Sequence, residues 1–356
     1  MKQKRVNIIT LGCPKNEVDT DAMRWHLTQS GYELSEDLRQ ADILVVNTCG
    51  FIDQAKAESL EEIWKIISLK KRDKNKKLIV VGCLAQRYPD QLWKEIPEID
   101  GILGISEIKN IGKTCDEIIR NKRICLVSPP LLKENEEIFK REVSDRPFAY
   151  LRIADGCNNC CTYCSIPLIR GKYRSRSIES LVREVEFLAK RGAKEINLIA
   201  QDTTLYGVDI YGKQQLPQLL SSLSEIPEIK WIRILYTHPA HYSDELIDTI
   251  ASNPKVCKYL DIPLQHISDR LLSLMNRKVT KNQIIKLIQE LRKKISNLTL
   301  RTTFLVGFPG ETESDFNELL NFVEETGFDK VGIFTYSREE NTKAYDLKHQ
   351  IPSKIK

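Results

Sequence analysis

The sequence of 356 residues has no long apolar run, and no stretch approaches the ~20 apolar residues that a membrane-spanning helix needs. Its amino terminus, from Met1 to Arg5, is polar and lacks the apolar core and small-residue cleavage site of a secretory signal peptide. No low-complexity segment interrupts the chain. These absences argue against a membrane or secreted protein, so we expect a cytoplasmic protein without a membrane partner.

A strong charge of one sign is also absent. The 54 Lys and Arg residues exceed the 49 Asp and Glu residues by only five, which is too small a surplus to indicate nucleic-acid binding. We therefore expect no DNA partner. The composition is that of an ordinary globular protein, and at roughly 150 residues per domain the length suggests two domains.

Cysteine, in contrast, is abundant, with ten residues. In a reducing compartment a disulfide framework is not expected, and metal binding or catalysis becomes the better interpretation. Seven of the cysteines fall in the two constellations described below. The other three end no predicted strand and are interpreted as structural: Cys115, Cys125 and Cys257.

The first third of the chain alternates predicted strands and helices. Val6–Leu11, Ala41–Val46 and Leu78–Val81 are apolar runs typical of strands buried on both faces. Helices are predicted between them at Asp19–Gln29 and Gln54–Leu69. This order indicates an α/β domain with a doubly wound parallel sheet, which we assign to residues 1–126.

A second β/α part follows residues 127–146, which are predicted to be a linker or an exposed hairpin. Six strand and helix units fit residues 147–345, too few for a complete eight-unit barrel, and they predict a partial (β/α)6 barrel. The predicted strands are Phe148–Ile153, Glu195–Ala200, Trp231–Tyr236, Tyr259–Pro263, Leu298–Val306 and Lys330–Tyr336. Residues 346–356 form a basic tail.

The barrel opens on a dense cysteine loop at residues 156–164, with the sequence GCNNCCTYC. A structural zinc site pairs ligand clusters roughly a dozen residues apart, whereas the two CxxC pairs here abut. Three thiolates at the end of a barrel strand fit an iron–sulfur cluster that keeps one iron open for catalysis. We take Cys157, Cys161 and Cys164 as its ligands. We call them the second triad, because another set of three cysteines, described next, precedes them in the sequence. The spacing also allows Cys160 in place of Cys161.

Three scattered cysteines, Cys13, Cys49 and Cys83, each end a predicted strand of the first domain. We call them the first triad. Because the carboxyl ends of parallel strands meet at the ligand crevice of an open sheet, these thiols are expected at one edge. Free cysteine is often simply buried, so three structural cysteines is the alternative interpretation. The shared strand-end position favours a metal site with one open position.

The second triad's C-x3-C-x2-C spacing resembles the cluster loop of radical S-adenosylmethionine enzymes. Three scattered cysteines before such a loop resemble the methylthiotransferase family and, within it, the RimO branch, which modifies an aspartate of small-subunit ribosomal protein S-twelve. The resemblance runs from about residue 6 to 345. Its motifs are LGCPKN at 11–16, NTCGFID at 47–53, IAQDTT at 199–204, DIPLQH at 261–266 and FTYSRE at 334–339.

The resemblance implies a radical S-adenosylmethionine barrel, S-adenosyl-L-methionine as a cofactor, and two 4Fe–4S clusters, one on each triad. The second cluster would generate an adenosyl radical, and the first would handle the sulfur of a methylthio group added to an aspartate β-carbon. Ribosomal protein S-twelve or the small ribosomal subunit, and a low-potential electron donor, would be partners. By resemblance, Tyr163 lies near the adenine, and Gln201, Gln265 and Arg301 contact S-adenosylmethionine.

Two other functions remain open. The sister branch, which modifies tRNA adenosines with the same chemistry, typically has Gln-Met where Pro14 and Lys15 stand here. A non-catalytic zinc or iron–sulfur protein is the alternative of another class. Family members normally continue into a small C-terminal TRAM domain, and no run of short strands remains here to build one, so we expect that domain to be absent.

A basic run, from Arg170 to Arg176, follows the cysteine loop. One interpretation is a docking patch for an acidic substrate loop or ribosomal RNA, and the other is a solvated helix entry. Asp202, His238 and His266 end predicted strands and are further polar candidates.

Overall fold

The computed structural model describes residues 4–130, 141–142 and 146–356. The chain divides into two compact units. The first contains residues 1–144 together with 168–171, and the second contains residues 145–167 and 172–356.

The first unit is built on a six-stranded sheet in which every neighbouring pair is parallel, in the order β2-β1-β3-β4-β5-β6. Its strands are β1 (Arg5–Thr10), β2 (Glu33–Leu34), β3 (Ile43–Thr48), β4 (Lys77–Gly82), β5 (Gly101–Leu103) and β6 (Ile124–Leu126). Its helices are α1 (Pro14–Gln29), α2 (Asp53–Arg72), α3 (Cys83–Arg87), α4 (Pro89–Glu95) and α5 (Ile111–Ile119), with a 3-10 helix at Ile105–Asn110.

The sheet has a core on each face. Successive residues of a strand point to opposite faces, and the two cores divide β3 and β4 accordingly. Val45 and Val81 lie in one cluster, while Val46 and Val80 lie in the other. This explains why the sequence of β3 is a continuous apolar run rather than an alternating one.

The second unit contains a six-stranded sheet whose neighbours are again all parallel, in the order β14-β13-β12-β11-β10-β7. Its strands are β7 (Phe148–Arg152), β10 (Glu195–Ile199), β11 (Trp231–Ile234), β12 (Val256–Gln265), β13 (Thr299–Val306) and β14 (Lys330–Thr335). A two-stranded antiparallel ribbon of β8 (Ala154–Asp155) and β9 (Arg174–Ser175) stands apart from this sheet.

Helices alternate with these strands. A short helix, α6 (Ile166–Arg170), follows the cysteine loop. The others are α7 (Ile178–Lys190), α8 (Val208–Tyr211), α9 (Leu216–Ser224), α10 (Asp244–Ser252), α11 (Asp269–Leu274), α12 (Lys281–Lys294) and α13 (Glu313–Thr326), with 3-10 helices at Pro239–His241 and Lys343–Asp346. Capping boxes at Thr280 and Thr312 fix the starts of α12 and α13.

The predicted fold class is confirmed: a doubly wound parallel sheet precedes a six-stranded partial barrel. The start of the first helix was placed too late, at Asp19, because α1 begins at Pro14. Proline is favoured at the first helical position, where its missing N–H removes no hydrogen bond. Most of the predicted charged stretch at 133–146 lies outside the described residues.

Among the described residues, no helix combines the length and the apolar character that crossing a membrane requires.

Candidate metal centres

The first triad lies at the carboxyl ends of three adjacent strands. Cys13 follows β1 and caps the amino end of α1, Cys49 directly follows β3, and Cys83 directly follows β4 and begins α3. The sheet order reverses here, because β1 has β2 on one side and β3 on the other. In open α/β sheets, ligands bind outside the carboxyl ends of the strands at such a switch point.

Glycines let the backbone approach these thiols closely. Gly82, at the end of β4, has a φ of +96°, and a Cβ placed there would lie 2.6 Å from the carbonyl oxygen of Thr48. Gly12 has a φ of +91°, and its Cβ would lie 2.9 Å from that of Cys49. Both positions require glycine, for backbone conformation and for space.

Asn16, on the first turn of α1, ties the three strand ends together. Its side-chain amide donates to the carbonyl of Leu11 at 2.8 Å and to that of Thr48 at 3.1 Å. Its Oδ1 accepts from the thiol of Cys83 at 3.9 Å. The residue is fully buried, so these bonds hold the backbone between β1 and β3 without competition from water.

The cysteines of the first triad differ in exposure, since Cys13 and Cys49 are partly exposed and Cys83 is buried. Cys83 is 5% exposed, and burial raises its pKa to about 12. Burial also raises the pKa of Cys49. The guanidinium of Arg170 opposes both shifts by attracting the thiolates. Metal binding must therefore displace protons from these thiols, as it does at iron and zinc sites generally.

The second triad lies in a loop whose base is the β8–β9 ribbon. Asn158 accepts the backbone N–H of Tyr173 at 3.0 Å, which links the two ends of the loop. From the segment after α11, Met275 accepts the backbone N–H of Thr162 at 3.0 Å. Asn276 donates to the carbonyl of Cys160 at 2.9 Å. The loop is therefore held in place by the barrel.

Within the described residues, the side chain of Arg277 is a cation in direct contact with the second triad. Arg277, which is 6% exposed, donates from Nη1 to the sulfur of Cys161 at 3.6 Å and from Nη2 to the carbonyl of Pro263 at 2.5 Å. Burial raises the pKa of Cys157 to about 11 and raises that of Cys164 above its usual value. Cys160 is exposed and adopts a φ of +52°.

The spacing of the sulfurs does not match a single zinc ion. Tetrahedral Zn–S bonds of about 2.3 Å place the sulfurs about 3.8 Å apart. In the described part of the chain, the one set of three such ligands whose atoms all lie within 4.8 Å of one another is Asp202, His238 and His241. Neither cysteine triad has its three sulfurs within 4.8 Å of one another in the described residues, and three thiolates are the ligand type that holds iron–sulfur clusters.

Two residues expected at S-adenosylmethionine lie in the cysteine loop or next to it. Tyr163 packs edge-on against Phe308, with ring centroids 6.4 Å apart. Gln201 follows β10 and donates to Asp155 at 3.1 Å, while its buried carbonyl oxygen has no partner within the described residues. An orphaned acceptor suits a ligand that brings a donor. Tyr163 and Gln201 remain predicted contacts.

The other two expected contacts have different surroundings. Gln265 ends β12 with a φ of +73°, a conformation uncommon for a residue other than glycine. Arg301 lies near the start of β13 rather than at its carboxyl end, and it donates to Asp261 at 2.6 Å. Both remain predicted contacts, and the ion pair with Asp261 gives Arg301 a structural role of its own.

Asp202 and His238, expected as polar residues at strand ends, belong to a buried network with His241 that the sequence does not reveal. This carboxylate accepts from the side chain of Asn159 at 2.7 Å and makes a 2.8 Å hydrogen bond with Nδ1 of His241. Its other oxygen accepts from the hydroxyl of Thr204 at 2.6 Å. His241 stacks on His238, with centroids 4.6 Å apart. Asp202 thus ties the cysteine loop to the 3-10 helix after β11.

Two arginines of the basic run after the loop are engaged inside the protein, whereas Lys172 is exposed and Arg174 is partly exposed. Arg170 is 1% exposed and pairs with Asp19 at 3.0 Å. Arg176 pairs with buried Glu184 at 2.5 Å. Neither the docking patch nor the solvated helix entry describes these two residues, because each serves a buried carboxylate. A buried arginine carries no sequence signal that distinguishes it from an exposed one.

Comparison with known proteins agrees with this geometry. Residues 151–323 match the Radical SAM superfamily, and residues 5–104 match the uncharacterized protein family UPF0004. In fold the chain is similar to the radical S-adenosylmethionine methyltransferase TsrM from Kitasatospora setae, with a TM-score of 0.71 and 15% identity over 96% of this chain and 77% of that chain. It is also similar to the cobalamin-dependent S-adenosylmethionine radical enzyme OxsB, with a TM-score of 0.63 and 14% identity over 97% and 55%. The fold and the cysteine loop are those of a radical S-adenosylmethionine enzyme.

The sequence relatives are more specific. The ribosomal protein uS12 methylthiotransferase RimO of Clostridium kluyveri is 47% identical over 360 residues, covering 100% of this chain and 80% of that protein. That of Natranaerobius thermophilus is 48% identical over 353 residues, covering 99% and 79%. The chain belongs to the RimO methylthiotransferase family, as the sequence motifs indicate. Membership in this radical S-adenosylmethionine family implies S-adenosylmethionine and a 4Fe–4S cluster as cofactors.

Proposed function

We propose that this chain is a transferase that adds a methylthio group to the β-carbon of an aspartate in ribosomal protein uS12. The observation that carries the proposal is identity of 45–48% with uS12 methylthiotransferases over 99% or more of the chain. The two cysteine sites supply a physical basis, since the first places three thiols at the carboxyl ends of parallel strands and the second places three in one loop between β8 and α6.

The cofactors follow from the two triads. Cys157, Cys161 and Cys164 would hold one 4Fe–4S cluster, and Cys13, Cys49 and Cys83 would hold another. When bound, the two clusters and S-adenosylmethionine would supply an adenosyl radical, a sulfur atom and a methyl group. Residues 1–126 would form the sulfur-handling domain and residues 147–345 the radical domain. The hydrogen on an unactivated carbon is one that side-chain acid–base chemistry does not readily remove, so the reactive chemistry belongs to the cofactors.

The chain's own residues would position these groups and exclude water. Arg277 and the Asp202–Asn159 hydrogen bond hold the cysteine loop. Tyr163, Gln201, Gln265 and Arg301 would bind S-adenosylmethionine. Gln201 would do so through its orphaned carbonyl oxygen, which is an acceptor for the sulfonium cofactor's amino or hydroxyl donors.

The proposed partners are ribosomal protein uS12 or the small ribosomal subunit, and a low-potential electron donor. We place the reaction in the cytoplasm, where ribosomes and a reducing environment coexist. The amino end of α1 carries the Pro14-Lys15 pair expected of the protein-modifying branch, and Lys15 is 7% exposed.

Anaerobic reconstitution followed by parallel assays tests this function. The reconstituted full chain, a chemical reductant and S-adenosylmethionine are incubated with uS12, with small ribosomal subunits or with tRNA, and products are identified by mass spectrometry. A methylthio group on an aspartate of uS12 is expected. Transfer only to tRNA would support the tRNA branch instead, and a chain that binds zinc but no iron would overturn the enzyme assignment.

A further inference from the structure

Arg170 is a buried cation at the first triad. Its Nη2 atom lies 3.7 Å from the sulfur of Cys83, 3.0 Å from Oδ2 of Asp19 and 3.3 Å from Oδ1 of Asn16. The side chain of Asp19 is itself 2% exposed. One guanidinium nitrogen therefore serves a thiol, a carboxylate and an amide inside the first unit.

Burying the charge of Arg170 reduces the stability of the fold unless that charge has a further role. Burying an ion pair carries a desolvation penalty that often equals or exceeds its Coulombic gain, and apolar residues of similar volume commonly serve stability as well. Arg170 and Asp19 are withdrawn almost completely from water, and Arg170 contacts the thiol of Cys83. A cation placed there counts toward the charge of anything those thiols bind.

The position of Arg170 in the chain is also informative. It follows Cys164 closely along the sequence, yet residues 168–171 belong to the first unit, and they are the one part of the chain beyond residue 144 that does. The first unit thus takes a single short segment from the later sequence. Arg170 lies in that segment and contacts the first triad.

We propose that Arg170 is a positioning and tuning residue for the first triad. It donates an N–H hydrogen bond to the sulfur of Cys83 and sets the reduction potential of the iron–sulfur cluster which, if the proposed function holds, the first triad carries. Hydrogen bonds to cluster sulfurs and the net charge around a cluster are two main determinants of its reduction potential. A positive charge at Cys83 favours the reduced, more negative state. Asp19 counters part of that charge.

The opposed charges of the pair give opposite predictions. Arg170→Gln removes the cation and leaves Asp19 unpaired, so the reduction potential should fall. For a one-electron couple, a tenfold change in the equilibrium constant corresponds to about 59 mV. Asp19→Asn leaves the cation without its counterion, so the potential should rise. Arg170→Lys keeps the charge and loses the planar fork, so its shift should be smaller than that of Arg170→Gln. A purely structural role would not produce shifts of opposite sign.

The test uses the full chain with the second triad replaced by alanine, so that the iron measured belongs to the first site. After anaerobic reconstitution, iron and sulfide per chain are measured, and the potential is followed by electron paramagnetic resonance during a reductive titration. Arg141→Gln is the matched control. Arg141 is also 1% exposed and pairs with another aspartate of α1, Asp21, at 3.4 Å. This control should keep the parental potential.

The outcomes separate this inference from the proposed function. If the parent chain binds no cluster at the first triad, the two-cluster function fails. If the parent binds one and Arg170→Gln and Asp19→Asn both leave its potential unchanged, the role of Arg170 is wrong and the function stands. Should Arg170→Gln fail to fold, by circular dichroism, the Arg170→Lys and Asp19→Asn variants decide through the size and sign of their shifts.

Discussion

The two triads reach similar ends by different routes. The second triad is local, since its three thiols lie within one loop between β8 and α6. The first triad is assembled by the sheet, since its thiols follow three strands that are adjacent in space and distant in sequence. A local site depends on what holds one loop, whereas a sheet-built site depends on the fold of the whole unit. Substitutions near the second triad should therefore affect one loop, whereas substitutions near the first triad should also affect the stability of the first unit.

The largest expected effect tests how local the second triad is. Cys161→Ala should abolish S-adenosylmethionine cleavage, because it removes a proposed cluster ligand whose sulfur also accepts from Arg277. The adjacent Cys160→Ala is the matched control and should keep cleavage, since Cys160 is exposed. Formation of 5′-deoxyadenosine by the reduced, reconstituted chains is the measurement. Loss of cleavage in Cys160→Ala alone would mean that Cys160 is the ligand.

Gly82→Ala should break the first triad through the sheet. The methyl group would meet the carbonyl of Thr48 in a backbone conformation that L residues rarely adopt. We expect the free energy of unfolding to fall by about 3 kcal/mol, together with loss of iron from the first site alone. Urea unfolding and iron analysis check this.

Gly31→Ala is the control for that variant, because Gly31 also has a positive φ, +83°, with no atom within 4 Å of a new Cβ. It should cost about 1 kcal/mol and keep both sets of iron. Equal losses in the two variants would show that crowding at the strand end is not what matters.

Asp202→Asn should weaken the hydrogen bond that holds the cysteine loop through Asn159, although Asp202 lies outside that loop. The amide cannot accept all four hydrogen bonds that the carboxylate receives from Asn159, His241 and Thr204. We expect a loss of about 2 kcal/mol in stability and a lower iron content at the second site only. The exposed acceptor Asp209, which serves Ser175, provides the control Asp209→Asn. A drop in first-site iron would contradict the separation of the two sites.

The smallest expected effect is a change in the free energy of unfolding with pH. Burial, with Arg277 nearby, holds the pKa of His238 well below its usual value. The folded state therefore resists a proton that the unfolded chain accepts, and stability present at pH 7 is lost as the pH falls below about 6.5. Between pH 7 and 5.5 this one group should cost about 1 kcal/mol.

His238→Asn should reduce the pH dependence of stability, because it removes the imidazole that titrates. The asparagine oxygen can still accept from the N–H of Ala240, as the ring does, so the local structure should be kept. His349→Asn, at an exposed position with a φ of +60°, should leave it unchanged. Urea unfolding of the metal-free chains at several pH values is the measurement. An identical slope in His238→Asn and the parent would remove His238 as its source.

The features of this molecule that depend on a sequence pattern could be predicted. Apolar runs located the long strands, and β2, β5 and β6, of two or three residues each, left too little pattern to find. Cysteines at strand ends could be placed at one sheet edge because topology decides that edge. The contacts of Arg170 and Asp202 could not be predicted, since a charged residue gives no sign of burial until its partner arrives from a distant element.

We propose that each triad holds its own cluster, and the iron content of the reconstituted chain tests this most directly. After anaerobic reconstitution the parent chain should carry about eight irons. Alanine replacement of the first triad and of the second triad should each leave about four irons on a folded chain. Loss of all iron from either variant while it remains folded would contradict two separate sites, as would a parent chain that holds one zinc ion and no iron.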